Sequence, residues 1–406
     1  MHVVVTSAGS DGDFNPLLAI AGALVRRGVT VTFVANPFYK DRVLRTGSRF
    51  ASAGTFFDIF AALRDNPRYF SPARGGAAIW KELAVPSIRD TYPVVRDTVQ
   101  QVGASAVVSH VLGFGGMWAA AQTGVRNVTV STTPSVWLSR HQPTVFVNWR
   151  APRIVESALT VTARGVGNVV MRRLLRRLAA EIGAPALPGV VPDAHLNLGV
   201  WPAWFRPAAP DDPPGATMCG FVFDSADASA PLAHDLEDFL AVGDAPVIAG
   251  FGSAVSLHAA DRYRTVAEAC EQLGRRCVVI GATAAAVAPT ANRMIASSAP
   301  YARLFPAAAA VVHHGGFGTC GEVLRAGKPN LVTPFAFDQF DNAARMQDAG
   351  IGLWFAGRPT DTRAMAAALD SVLRSAPLAA GARAAAARIV AAPNGADRAA
   401  ELIAAL

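Results

Sequence analysis

The run HHGGFGTCGEVLRAGKPNLVTPFAFDQFDN, residues 313–342, holds the densest set of groups able to do chemistry. Gly315, Gly316 and Gly318 let the backbone approach a ligand closely and aim amide groups at it. The helix expected over Gly318–Ala326 adds the positive end of its dipole, so the turn is a natural diphosphate site. His314 can donate to a phosphate oxygen, and Thr319 brings a hydroxyl to the same helix start. Glu322 lies about one helical turn beyond Thr319, where a carboxylate can take a ribose diol. Asp338 and Gln339 follow the next strand and reach the same rim from the neighbouring turn, with donors and acceptors that suit sugar hydroxyls. Register against Glu322 favours His314 over His313 at the phosphate and leaves His313 as a structural neighbour.

Such residues cooperate only if the chain folds so that turns after strands share one rim. Val3–Ser7, Thr30–Ala35, Ser105–Ser109 and Asn127–Ser131 are short apolar runs, with helix-like segments at Pro16–Arg27 and Phe114–Thr123. The pattern restarts with strands at Pro246–Phe251, Cys277–Gly281, Ala310–His313 and Asn330–Thr333 and helices at Ala259–Leu273, Gly318–Ala326 and Asp338–Ala349. Strands alternating with helices predict βαβ units and parallel sheets, twice. The segment PAAPDDPP at 207–214 cannot hold a helix or interior strand and reads as the linker. The expected division is 1–206 as an acceptor-binding domain, 207–216 as linker, and 217–390 as a nucleotide-sugar domain. Residues 391–406 form a C-terminal helix that can return to the first domain. Residues 140–200, rich in Arg and Pro, are expected to supply helices lining an acceptor cleft. His110, ending a first-half strand, could face that acceptor.

The 313–342 run resembles the nucleotide-sugar signature of the family 1 glycosyltransferases, which include plant secondary-product enzymes and bacterial antibiotic glycosyltransferases. The resemblance is strong over 246–355 and looser over 1–135. It implies an α/β GT-B fold, two doubly wound Rossmann-like domains facing a cleft. It also implies that His314 contacts the diphosphate, Glu322 the ribose, and Asp338 with Gln339 the donor sugar, with Thr319 at the phosphate. The stretch SAGSDGDFNP, residues 7–16, resembles the GxRGDxxP turn of antibiotic glycosyltransferases and, more closely, the GSxGDxxP start of rhamnolipid-type rhamnosyltransferases. Asp13 then aligns with the carboxylate that takes the acceptor proton, a role burial must assist by raising its pKa. Capping the following helix is the alternative for Asp13, while Asp11 reads as solvated. In GFGSA, Ser253 matches a phosphate-contacting turn, and Tyr301 in APYARLF lies where the family holds the nucleobase.

Composition narrows the field. Only 17% of the 406 residues are charged and 51% are hydrophobic, which excludes a disordered chain or coiled coil. No run of large apolar residues is long enough to span a bilayer, and MHVVVTSAGS reads as a strand rather than a leader. A cytoplasmic protein is expected, with peripheral contact at the inner membrane face left open. Four scattered cysteines read as reduced and buried, without a zinc site. The net charge of +7 comes mostly from dispersed Arg, with one concentration, MRRLLRRL at 171–178. That amphipathic basic helix reads as a packed surface helix, or as a contact for an anionic acceptor or a membrane.

The resulting expectation is an inverting, metal-independent transferase without cofactor. It moves a sugar from a TDP-deoxysugar such as TDP-rhamnose, or from UDP-glucose, to a hydroxyl of a lipophilic small molecule or natural product. A GT-B-fold epimerase or hydrolase of UDP-sugars, and a non-catalytic nucleotide-sugar binder, are the competing readings. Nucleic acid is not an expected partner.

Overall fold

The computed structural model describes residues 1–71, 74–187, 194–223, 229–281 and 283–406. Thirteen strands among these residues fall into two sheets, all of whose pairs are parallel. The first holds β1 (His2–Thr6), β2 (Thr30–Ala35), β3 (Arg49–Ser52), β4 (Ala106–His110), β5 (Arg126–Ser131), β6 (Leu196–Gly199) and β7 (Ala216–Met218), in the order β3-β2-β1-β4-β5-β6-β7. The second holds β8 (Val247–Gly250), β9 (Cys277–Ile280), β10 (Arg293–Ala296), β11 (Ala310–His313), β12 (Asn330–Val332) and β13 (Leu353–Trp354), in the order β10-β9-β8-β11-β12-β13. Central strands such as β1 and β4 are buried on both faces, which is why they read as continuous apolar runs.

Both sheets reverse their strand order once, between β1 and β4 and between β8 and β11. Open α/β sheets bind ligands at the carboxyl ends of strands at such a switch point. The helices that matter here are α1 (Asp11–Arg26), α2 (Val85–Val102), α3 (Phe114–Thr123), α4 (Arg153–Ile182), α5 (Ala260–Gln272), α6 (Phe317–Arg325), α7 (Gln339–Asp348), α8 (Thr362–Arg374), α9 (Ala376–Ala391) and α10 (Gly395–Ala404). The two-sheet α/β fold expected from the sequence is what the chain adopts.

Three local readings need correction. The proline-rich 207–214 does not join the domains: it connects β6 to β7 within the first sheet, and the crossing to the second sheet comes after β7. The buried Arg206 guanidinium, paired with Asp212, pins that loop to the first domain. Helix α1 begins at Asp11, five residues before Pro16, because Ser10 and Asp13 form a capping box that starts it. Where 140–200 was expected to supply helices, its described residues hold a single 30-residue helix, α4.

The two halves touch at several points. The Val145 amide donates to Asp341 at 3.1 Å, Arg150 pairs with Asp348 at 2.8 Å, and the Trp354 indole donates to Asn148 at 2.9 Å. Across the cleft mouth, His258 Nε2 lies 2.9 Å from the Leu63 carbonyl. The last helix, α10, lies against α1: Ala396, Ala399, Ala400 and Ile403 enter the first core, and Arg26 pairs with Asp397 at 2.8 Å.

Candidate active site in the cleft

The turn after β1 and the end of β4 are neighbours at the first switch point, and they bring Asp13 and His110 together. Asp13 Oδ2 accepts the Ser10 amide at 3.2 Å, while Oδ1 lies 3.6 Å from His110 Nε2. Capping and a place in the cleft, posed as alternatives by the sequence, are thus compatible for Asp13. The carboxylate rests on Gly9, whose φ is +112°; a Cβ there would stand 2.4 Å from Asp13 Oδ2. The Asp13 side chain is 37% exposed, but the desolvation it suffers still raises its carboxyl above the usual range, and His110 partly opposes that rise.

The hydrogen-bond pattern fixes the His110 tautomer. Its Nδ1 accepts the Leu112 amide at 3.2 Å, so in the neutral ring the proton is on Nε2. That N–H faces Asp13 and the Thr132 hydroxyl, 3.1 Å away. Burial lowers the His110 pKa, so the ring stays neutral and acts as a fixed donor toward the carboxylate. The sequence suggested His110 as an acceptor contact; in the structure its buried ring sits behind Asp13 and steadies it. Asp11, read as solvated, instead pairs with Arg42 at 2.7 Å.

The second switch point holds the glycine turn. His313 and His314 are both buried but differ in surroundings. His313 Nδ1 accepts the Gly315 amide at 3.2 Å and its Nε2 faces Asn330 Oδ1 at 3.4 Å, so both ring nitrogens serve the fold. His314 lies between two glycines. A Cβ on Gly316 would stand 2.2 Å from His314 Nε2, and one on Gly252 would stand 2.7 Å from its Cε1. His314 Nδ1 is buried without a protein hydrogen-bond partner. Burial, helped by His313 and Arg262, pushes the His314 pKa down to about 3, so this ring is neutral too. It offers a dipolar N–H rather than a formal charge. Gly318 and Thr319 lie in the first turn of α6, whose N-cap residue, Gly316, has no side chain to cap the first amides. Ser253 sits in the turn after β8, beside the same switch point.

Asp338 begins α7 at the end of the next connection. The Thr133 hydroxyl from the first domain and Asn342 both hydrogen-bond its carboxylate, the latter at 2.8 Å. Burial pushes Asp338 up to about 6, and the nearby charge of Asp13 adds to the rise. That interaction and the Thr133 bond put Asp13 and Asp338 on facing walls of one cleft. Phe337, just before Asp338, holds φ 60°, the one non-glycine positive φ among the described residues. Such a strained residue persists only where its surroundings hold it. Here, Phe337 lies 6.0 Å from Phe70 of the first domain.

Other residues named from the sequence take less open positions. Gln339, expected at the sugar, is buried, and its Oε1 accepts the Phe335 and Ala336 amides at 2.8 and 3.2 Å, so that oxygen serves the loop. Glu322 pairs with Arg325 one turn along α6. Tyr301 stacks on Phe305 at 4.4 Å, and a Cβ on Gly250, at the end of β8, would stand 2.8 Å from its hydroxyl.

Three contributors escaped the sequence reading. Asn342 ties Asp338 to the Gly315 carbonyl at 2.8 Å, and its i+4 spacing from Asp338 was the available signal. Thr132 and Thr133 follow β5, where a Ser/Thr cluster at a strand end was a weaker one. Arg262 on α5 gave none: it is buried, donates to the Thr333 carbonyl and stacks 3.8 Å from the Phe335 ring centroid. Burial lowers its pKa to about 10, so it remains a cation beneath the loop that carries Asp338.

Residues 281–405 match the family described as Erythromycin biosynthesis protein CIII-like, C-terminal domain. The chain is 28% identical over 386 residues to glycosyltransferase GtfC of Amycolatopsis orientalis, covering 92% of this chain and 90% of that one. Among solved structures, the glycotransferase of kitacinnamycin aligns with a TM-score of 0.73 at 20% identity, covering 99% of this chain and 97% of the other. Spinosyn rhamnosyltransferase SpnG, complexed with thymidine diphosphate, aligns with a TM-score of 0.67 at 20% identity, over 99% of this chain and 100% of the other.

Proposed function

We propose that this chain, which is a glycosyltransferase of the GT-B fold, moves a sugar from a TDP-linked deoxysugar to a hydroxyl of a lipophilic natural product, by a single displacement with inversion. The observation that carries the reading is the pairing of a carboxylate on one wall of the cleft, Asp13 with His110 behind it, with an uncapped glycine turn on the other.

In the proposed step the acceptor oxygen attacks the anomeric carbon while its proton passes to Asp13. The bond from that carbon to the diphosphate breaks, and the nucleoside diphosphate leaves with the electron pair. Its growing charge meets the amides of residues 316–319 at the N-terminus of α6 and the His314 N–H, all in place before reaction. Arg262 supplies the nearby formal charge, felt at His314. We assign metal-independent chemistry because these groups already answer the leaving group. His110 is a positioning residue. Its Nδ1 is held by the Leu112 amide, so it steadies the Asp13 carboxylate rather than receiving the proton.

A deoxysugar donor on TDP is favoured by the resemblance to SpnG, which was solved with thymidine diphosphate. A lipophilic acceptor is favoured by exposed apolar side chains beside the base: Leu112, two residues from His110, and Phe56, which reaches the Gly9 turn through Phe38 and Tyr39. Phe337, also exposed, adds an apolar ring from the second domain where it meets Phe70 of the first. UDP-glucose is the alternative donor.

The test is a panel of TDP- and UDP-sugars with and without lipophilic alcohols, reading melting temperature and nucleotide release. The proposal expects a donor that raises the melting temperature and releases nucleotide only with acceptor present. Release independent of acceptor would favour the epimerase or hydrolase reading, and binding without turnover a non-catalytic binder.

A further inference from the structure

Helix α4 runs for 30 residues, about 45 Å, and one of its long faces is left uncovered by the described residues. Its inner side is anchored at both ends. Glu156 and Thr160 are buried near the start, while Leu175, Leu178 and Ala179 pack near the end against the cluster containing Trp118 and Tyr92. The outer side carries Val155, Leu159, Thr162, Val166, Val169, Val170, Arg173 and Arg177. Their three- and four-residue spacing places them on one face. Val166 is 59% exposed, Val169 71% and Val170 49%, an unusual outlay of aliphatic surface for a face that meets only water.

The charges this helix leaves exposed between its two acids have one sign. Its two acids are spoken for: Glu156 is buried against Arg150, and Glu181 pairs with Arg89. Between them lie five arginines and no carboxylate. Arg164 pairs with Asp211 at 3.0 Å. Arg172, Arg173, Arg176 and Arg177 are exposed, and among the described residues no carboxylate lies within ion-pair distance of any of them. The face is thus an aliphatic stripe that ends in Arg173 and Arg177, with Arg172 and Arg176 exposed along its edge beside Leu175 and Ala179.

We propose that this outer face of α4 docks the enzyme on an anionic lipid surface. The stripe sinks into the boundary between headgroups and acyl chains while the four arginines meet lipid phosphates. The helix lies on the bilayer rather than crossing it, since no helix among the described residues is long and apolar enough to span one. A second copy of the chain is the poorer occupant. In a two-fold contact this face would offer no exposed, unengaged carboxylate to a partner's arginine cluster, in a chain already at +7. Nucleic acid would use the arginines but leave the valines without purpose. Exposed Trp149, in the loop leading into α4, adds an aromatic of the kind enriched at membrane–water interfaces. The same loop reaches the second domain through Arg150 and Val145, so a docked α4 would hold the cleft close to the surface. This inference stands apart from the transfer reaction and is tested without it.

The experiment is co-sedimentation of the full chain with phosphatidylcholine vesicles, and with vesicles containing about one-third phosphatidylglycerol, where each arginine near the surface is worth roughly fivefold in partition. The wild type should sediment with the anionic vesicles only, and high salt should release it. A variant with Arg172, Arg173, Arg176 and Arg177 changed to Gln should lose at least about a hundredfold in partition. The triple variant Val166→Ser, Val169→Ser and Val170→Ser should also bind more weakly. Both should keep the wild-type melting temperature, because the replaced side chains are solvent-facing. Wild type left in the supernatant by both vesicles overturns the proposal. So does anionic binding that neither variant weakens, or a valine-dependent dimer in sedimentation analysis that competes with the vesicles.

Discussion

Gly318 is the second residue of α6, and no heavy atom lies within 4 Å of where its Cβ would stand. Gly318→Ala therefore asks nothing of the protein, and whatever the methyl group meets must be a ligand. Alanine in place of helical glycine is worth about 0.5–1 kcal/mol through the unfolded chain, less near a helix end. The melting temperature should thus stay level or rise by about 1–3 °C. If the diphosphate rests against this helix start, the methyl pushes it off an amide that bonds a charged oxygen. Losing such a bond costs roughly 1.5–3 kcal/mol, or about 10- to 150-fold in donor Kd. The assay is calorimetric titration of wild type and variant with TDP, alongside thermal melts. Gly316→Ala is the contrast: its Cβ would collide with His314 Nε2 at 2.2 Å, so fold and binding should suffer together. An unchanged Kd for Gly318→Ala with an intact or raised melting temperature would remove the diphosphate from this turn.

Three other outcomes follow from the same geometry. His313 and His314 hold pKa values of about 4 and 3 in the fold, below the ordinary 6.5, so on acidification the unfolded chain takes their protons first. Their contribution is whole above pH 6.5 and is lost as pH falls toward 4. His314→Gln should spare about 3 kcal/mol of the loss between roughly pH 6.5 and 4.5 in urea titrations, and equal losses in the two proteins would contradict the buried neutral ring. Asp338, pushed up to about 6, should make donor-sugar affinity fall about tenfold from roughly pH 7 to 5, a dependence absent in Asp338→Asn. His110→Leu should lower kcat about 10- to 100-fold at unchanged TDP affinity. It should also move the acid limb of the rate profile to higher pH, because His110 holds the Asp13 pKa down; an unmoved limb would mean the ring only fills space.

The strands were legible because parallel strands buried on both faces read as unbroken apolar runs between glycines. The 313–342 turn was legible because glycines, histidines and a helix start there follow one another in sequence. What depended on distant pairs was not. Arg262 looks like any helical arginine until Phe335 and Thr333, some seventy residues on, close over it. The Asp13–His110 contact joins the start of α1 to the end of β4, brought together because β1 and β4 are adjacent only in space. PAAPDDPP marked a break in regular structure correctly, but proline composition cannot say whether the strand beyond a loop joins the same sheet. Gln339 stood where a sugar contact was expected, yet its oxygen caps a turn four residues back.

The central claim is that Asp13 takes the acceptor proton. The direct measurement is single-turnover transfer by Asp13→Asn, using the donor and alcohol that support nucleotide release in the wild type, with TDP affinity measured on the same sample. The account predicts transfer slowed by about 10²- to 10⁴-fold with TDP affinity within about twofold of wild type. Transfer near the wild-type rate at full donor occupancy would contradict it and place the base elsewhere in the cleft.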